Sequence, residues 1–191
     1  YGVGEDINIT VVWSETVNVT NTPTLTLSNG ATATYQSGTG SDTLVFKYTV
    51  VEGHTASNDL SVSSYSGTIK DTAGNTAGAV SGDLGSVTVD TDAPDYVSAT
   101  ATDGTYKVGD NIDITITWDE AVVVTGTPTL TLSNGATSTY QSGSGNAALV
   151  FRYTVAEGNT DSSDLSVSSY SGTITDSAGG PAAAVTDKDL G

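Results

Sequence analysis

Residues 109–132 read GDNIDITITWDEAVVVTGTPTLTL. Ile112, Ile114, Ile116 and Trp118 alternate with Asp113, Thr115 and Thr117. Successive side chains of an extended chain point to opposite faces, so this period of two predicts a half-buried strand over residues 110–118. Leu130 and Leu132, set between threonines, predict a shorter strand over 128–133. The Asn134-Gly135 pair that follows is a hairpin signal, because both residues tolerate the positive φ of a tight turn. It leads into a strand over 136–141. Leu149, Phe151, Tyr153 and Val155 form a second strictly alternating row, which predicts a strand over 147–155. Further strands are expected over 96–103, 165–175 and 86–90. No window has helical period, and Gly, Ser, Thr and Asn separate the runs. Trp13 and Trp118 share the inward parity of their rows and are expected to plug a core.

The second deciding feature is a repeat. TPTLTLSNGAT begins at Thr22 and again at Thr127, and DLSVSSYSGTI begins at Asp59 and again at Asp164. Both pairs are offset by 105 residues, as are Tyr1 and Tyr106. The copies align without a gap to Val80, and one extra residue then enters the second copy before Asp189-Leu190-Gly191. A unit of this length suits an autonomous domain rather than a solenoid repeat. About seven short strands in about 100 residues is the signature of a sandwich. The expected fold is therefore all-β, with two tandem immunoglobulin-like β-sandwich modules of about seven strands each. The first should cover residues 1–91 and lack its first strand. The second should cover 92–191 and lack its last strand. Further copies on either side are expected.

Composition narrows the function. Five Lys and Arg stand against 22 Asp and Glu, a net charge of -17. Affinity for nucleic acid rests on Lys and Arg at phosphates, and such a surface repels it. It also repels anionic lipid and attracts cations. No apolar run approaches the length of a membrane-spanning helix, so membrane insertion is not expected. Cysteine is absent, which removes disulfides, thiolate metal sites and a Cys nucleophile.

Several strings carry a resemblance. Gly109-Asp110 precedes Ile-x-Ile-x-Ile-x-Trp-x-Glu at 112–120. Val-Thr-Gly-Thr-Pro-x-Leu-x-Leu follows at 124–132, and Gly-Thr-Ile-x-Asp-x-Ala-Gly at 172–179. With the link Val-Asp-Thr-Asp-Ala-Pro at 89–94, these resemble the bacterial immunoglobulin-like repeats of giant surface proteins, including the extender regions of RTX-type adhesins. The resemblance covers the whole chain. It implies a secreted or bacterial cell-surface location and a role in cell adhesion and biofilm. It also implies a spacer that projects a terminal binding domain, often stiffened by calcium at domain junctions. Neighbouring repeats of the same chain would be the main partners.

The calcium expectation also has a basis in residue chemistry. Ca²⁺ takes six to eight oxygen ligands, largely carboxylates and carbonyls. Asp90, Asp92 and Asp95 place three carboxylates in six residues around the restrained Pro94. In an immunoglobulin-like sandwich the loops carrying Asp119, Glu120 and Asp176 lie near the start of the first strand. Glu5 and Asp6, at the opposite pole of the first module, would face the same junction. The expected metal ligands are Asp90, Asp92, Asp95, Asp119, Glu120, Asp176, Glu5 and Asp6. The matching pole of the first copy has Glu15 and Asp71, with Ser14 in place of Asp119. The alternative is that these residues only form Asx-turns.

Enzyme chemistry is not expected. The only histidine, His54, aligns with Asn159 and reads as a solvated loop residue beside Glu52. No G-x-S-x-G nucleophile elbow occurs. Paired carboxylates are confined to turns, whereas glycoside hydrolysis needs two across a cleft. Two other functions compete with the spacer. Outward threonines such as Thr115, Thr117, Thr129 and Thr131 could form a binding face for carbohydrate or a protein partner, although threonine is also a good strand residue. Open sheet edges at the two ends could allow head-to-tail self-association by strand complementation, giving a filament or lattice.

Overall fold

The computed structural model describes residues 1–190. Among these every regular element is a β-strand, and all named strand pairs are antiparallel. The chain divides into two units, Tyr1–Asp92 and Ala93–Gly191. Unit 1 contains β1 (Asp6–Leu27), β2 (Thr32–Ser37), β3 (Ser41–Thr49), β4 (Ser61–Asp71) and β5 (Gly82–Asp83). Unit 2 contains β6 (Tyr96–Ala101), β7 (Asn111–Leu132), β8 (Thr137–Ser142), β9 (Asn146–Thr154), β10 (Ser166–Thr175) and β11 (Lys188–Asp189).

The expectation of separate strands over 110–118 and 128–133 is corrected. Both belong to the single 22-residue β7, and β1 repeats this in unit 1. The strand stays continuous because it changes partners. Its first half pairs β9 from Asn111↔Thr154 to Thr117↔Ala148, and its second half pairs β10 from Val123↔Thr175 onward. The switch is made at a bulge, where pairing to β9 jumps from Thr117 to Val122. A bulge bends a strand and raises its twist, which carries β7 from one layer to the other. Its second half also pairs β8, and β8 pairs β9, so the sheet folds round on itself.

Alternating burial follows the sequence pattern. Ile112, Ile114, Ile116, Trp118, Val122, Leu130 and Leu132 from β7 meet Leu149, Phe151 and Tyr153 from β9 and Val167 and Ile174 from β10 in one core. The unit 1 core repeats this with Ile7, Ile9, Val17, Leu25, Leu27, Leu44, Phe46, Tyr48, Val62 and Ile69. Each core carries one edge-to-face aromatic pair, Tyr35–Phe46 and Tyr140–Phe151, with centroids 5.9 Å apart in both. Such a pair contributes about 0.5–1.5 kcal/mol beyond its buried area.

Two further expectations change. A regular strand does not form over 86–90. Val89 makes one bridge to Ser57, and the Val87 carbonyl accepts from Leu60 N–H at 2.9 Å. The ladder breaks between them because Asp59 N–H turns to Ser57 Oγ. The two tryptophans are also unequal. Trp118 is 1% exposed, but Trp13 is only half-buried. The reason is β6, which pairs Tyr96 with Trp118 and Ala99 with Ile116 in unit 2. Among the described residues, no strand pairs that edge of β1 in unit 1.

Candidate cation-binding site

Asp176 directly follows β10 and begins the turn Asp176-Ser177-Ala178-Gly179. The turn returns along the strand through the bridge Thr175↔Pro181. Asp176 is 3% exposed. Its Oδ1 accepts from Ala178 N–H at 2.6 Å and Gly180 N–H at 2.9 Å. Its Oδ2 is buried without a hydrogen-bond partner. A buried, unsatisfied oxygen of a carboxylate is costly unless it is paired or coordinates a metal.

Unit 1 contains the natural comparison. Asp71 occupies the matching position, and its Oδ1 accepts from Asn75 N–H at 2.8 Å. Its Oδ2 accepts from the Asn75 side-chain amide at 2.7 Å. Gly180 stands where that asparagine would be. A Cβ on Gly180 would run into Asp176 Oδ2, so the oxygen points into space that glycine leaves open. Asp71 is also nearer solvent, whereas the chain entering unit 2 lies beside the Asp176 turn, with Ala183 N–H donating to the Pro94 carbonyl at 2.8 Å.

The other sequence-derived ligands are distributed as follows. Asp95 and Asp119 are brought together. Asp95 N–H donates to Asp119 Oδ1 at 2.8 Å, and Asp119 N–H donates to the Asp95 carbonyl at 3.0 Å. Glu120 is half-buried within the β7 bulge. In unit 1, Asp90 Oδ1 accepts from Asp92 N–H at 3.2 Å, an Asx-turn. Glu5 Oε2 accepts from Gly2 N–H at 3.1 Å. Asp6 pairs with Lys47 at 3.0 Å and also accepts from the Thr49 hydroxyl. Among the described residues, no group of three or more carboxylate or imidazole side chains converges. A cation on Asp176 would therefore draw the rest of its shell from backbone carbonyls and water, which Ca²⁺ accepts. Asp176 is the one acid among the described residues that is both buried and left with an oxygen lacking a hydrogen-bond partner.

Comparison of the chain with protein-family models, curated proteins and solved structures finds no match.

His54 is not the solvated residue that the sequence suggests. Its ring stacks on Tyr48 with centroids 5.7 Å apart, and its Nδ1 lies 3.1 Å from the Tyr48 hydroxyl. Asn159 takes the same place in unit 2, accepting from the Tyr153 hydroxyl at 2.9 Å. The pair Asn29 and Asn134 donates to the same hydroxyls at 3.3 and 3.2 Å. Histidine and asparagine thus serve one purpose here, which is to satisfy a buried tyrosine. A shallow cleft near His54 is lined by Glu52, Gly53, Ala56, Thr91 and Asp92.

Three surface carboxylates titrate below their ordinary value of 3.8. For Asp6 the cause is the Thr49 hydroxyl, then Lys47. For Asp71 it is the Asn75 amide, and for Asp113 the Arg152 guanidinium. A lowered folded-state pKa stabilises the fold while the group is ionised. That contribution is present above the unfolded-state value and is lost as pH falls through the folded-state value. Stability is therefore expected to stay level from neutral pH down to about pH 5 and to fall below about pH 4. Urea midpoints across this range check it. Exposure keeps each contribution small. Asp113→Asn should flatten the acid limb of unit 2 only, and an unchanged limb would count against the Arg152 pair as its source.

Proposed function

We propose that this chain is a non-enzymatic extender segment of a secreted or bacterial cell-surface adhesin, with calcium held at the Asp176 pole of unit 2. The observation that carries the cation is the buried, unsatisfied Asp176 Oδ2 beside the space left by Gly180. The repetition of one strand programme, down to the same aromatic pair, supports the spacer. A spacer gains length by copying, and it needs no chemistry at its surface. The acidic surface supports attraction of a divalent cation. In this reading, calcium at the acidic pole limits bending along the array.

Calcium titration by calorimetry, paired with small-angle scattering in calcium and in chelator, tests the reading. Wild type should bind calcium and give a longer particle in calcium. At about 1,000 times the dissociation constant, the ion should add roughly 4 kcal/mol to the unfolding free energy of unit 2. Asp176→Asn should bind none while remaining folded in chelator. Gly180→Asn should supply the amide that Asn75 supplies in unit 1 and displace the ion with Asp176 still present. No heat from wild type, or undiminished binding by both variants, removes calcium from Asp176. An unchanged scattering profile despite binding leaves a plain spacer.

A further inference from the structure

The string TPTLTLSNGAT places an Asn-Gly pair in each unit, Asn29-Gly30 and Asn134-Gly135, with the same neighbours on both sides. Both pairs lie in turns of one kind. The glycine N–H donates back to the carbonyl of Leu27 or Leu132, and the glycine takes a left-handed φ of +81° or +80°. This is a type I turn closed by a glycine bulge. Outside its chain neighbours, nothing lies within 4 Å of a Cβ built on either glycine, so a change of backbone angle there meets no obstacle.

An Asn-Gly pair carries a latent reaction. The glycine nitrogen attacks the asparagine Cγ, and a cyclic imide forms as the Cγ–Nδ2 bond breaks. The glycine proton leaves with the amide nitrogen as ammonia. Water then opens one of the two imide C–N bonds and leaves either aspartate or isoaspartate. The folded turn opposes ring closure, because the nitrogen must leave its acceptor and the side chain must swing toward it. At Asn134 three hydrogen bonds stand in the way. Gly135 N–H donates to the Leu132 carbonyl at 2.9 Å, Ala136 N–H to Asn134 Oδ1 at 3.1 Å, and the Asn134 amide to the Tyr153 hydroxyl at 3.2 Å. Asn29 repeats these at 3.0, 3.1 and 3.3 Å and adds a fourth, from its amide to the Thr55 carbonyl at 3.2 Å. Among the described residues, Asn134 makes no such bond to Thr160, the counterpart of Thr55.

We propose that Asn134 is a deamidation site of the folded chain, and that Asn29, in an identical stretch of sequence, is restrained by the Thr55 carbonyl. The reaction proceeds from the opened turn, so its rate follows the open population. One hydrogen bond of ordinary strength changes that population roughly two- to tenfold. The product alters the turn. Isoaspartate puts a further carbon into the main chain between β7 and β8. Either product also replaces the amide donor to Tyr153 with a carboxylate, and the Tyr153 hydroxyl already donates to Asn159 at 2.9 Å. The turn thereby loses its tie to the end of β9. The reaction needs water alone, and neither calcium nor the spacer role enters it.

The test incubates the intact chain in mildly alkaline buffer and follows both asparagines by peptide mapping with mass spectrometry. A parallel sample in urea gives the rates of the unfolded chain. In the folded chain Asn134 should convert roughly two- to tenfold faster than Asn29. In urea the two should convert at one rate, since their flanking residues are the same. Tyr153→Phe removes the remaining acceptor of the Asn134 amide and should speed Asn134 further while leaving Asn29 unchanged. Tyr48→Phe leaves the Thr55 carbonyl in place and should change Asn29 less. The wild-type rates decide the proposal even where a variant fails to fold. Equal folded-state rates, or a faster Asn29, overturn it. So does an Asn134 that stays intact in the folded chain after many half-lives of the urea sample. Unequal rates in urea assign the difference to the unfolded chain and also overturn it.

Discussion

Replacing Trp118 with alanine is expected to destabilise unit 2 by about 3–5 kcal/mol, the range for deleting a large buried aromatic side chain. The same change at Trp13 should cost only about 1 kcal/mol, since a half-exposed ring forfeits less burial and leaves a site open to water. The two residues occupy equivalent places in near-identical sequences, so the difference isolates the strand that covers one and not the other. Trp118→Phe should be mild, within about 1.5 kcal/mol. It keeps most of the apolar volume and removes an indole N–H that is buried without a partner. Urea unfolding followed by NMR, which resolves the two units, measures all three. Equal losses at Trp13 and Trp118 would contradict the account of the open edge.

Gly143→Ala is expected to cost at least about 3 kcal/mol, from strain and overpacking together. Gly143 lies in the turn between β8 and β9 with φ +115°, a region that L side chains rarely adopt. A Cβ there would press into the Ala148 carbonyl oxygen and lie 2.9 Å from Leu149 Cα. Both are backbone atoms of β9, so relief requires moving the strand that carries Leu149 and Phe151. Gly38 stands in the same position in unit 1 and should behave alike. Gly145, two residues on, has φ +86° with nothing within 4 Å of an added Cβ. Its alanine variant should lose only about 1 kcal/mol. Thermal melts of the four proteins make the comparison, and similar losses at Gly143 and Gly145 would rule out the steric explanation.

The strands were legible because their signal is local. The alternation of Ile112, Ile114, Ile116 and Trp118 reports a buried face directly. The same parity continues through Val122, Pro128, Leu130 and Leu132, all buried. That unbroken parity was the available sign that residues 111–132 form one strand. Glu120 and Gly126 interrupt its apolar character, and a bend hides behind them. Other features were not legible because they depend on partners distant in sequence. Trp13 and Trp118 read alike, and only the presence of β6 separates them. His54 reads as a loop residue, yet its role is set by the Tyr48 hydroxyl.

The candidate site was half legible. The sequence marks Asp176 among several acids in turns and gives no reason to prefer it. The decisive substitution is Asn75 to Gly180 between the copies, visible in the alignment but silent until the side chains are placed. It converts a satisfied carboxylate into an unsatisfied one. Asp90, Asp92, Glu5 and Asp6 resemble Asp176 in composition. The carboxylates of Asp90, Glu5 and Asp6 are engaged by an Asx-turn, a backbone N–H or a cation that spacing alone does not disclose, and Asp92 enters the Asx-turn through its backbone N–H.

The 22-residue strands β1 and β7 have a consequence for how each unit opens. In many sandwiches a loop joins the layers, and one layer can loosen while the other persists. Here a continuous backbone belongs to both layers, and its ladders to β9 and β10 are carried by successive halves of one strand. Separating the layers requires breaking pairings on both sides of the bulge at once. Amide protons along β7 should therefore exchange as a single foldon, at the rate of whole-unit unfolding. A protease would find no nicking point at the crossover, and its first cuts should fall in the exposed turns between strands.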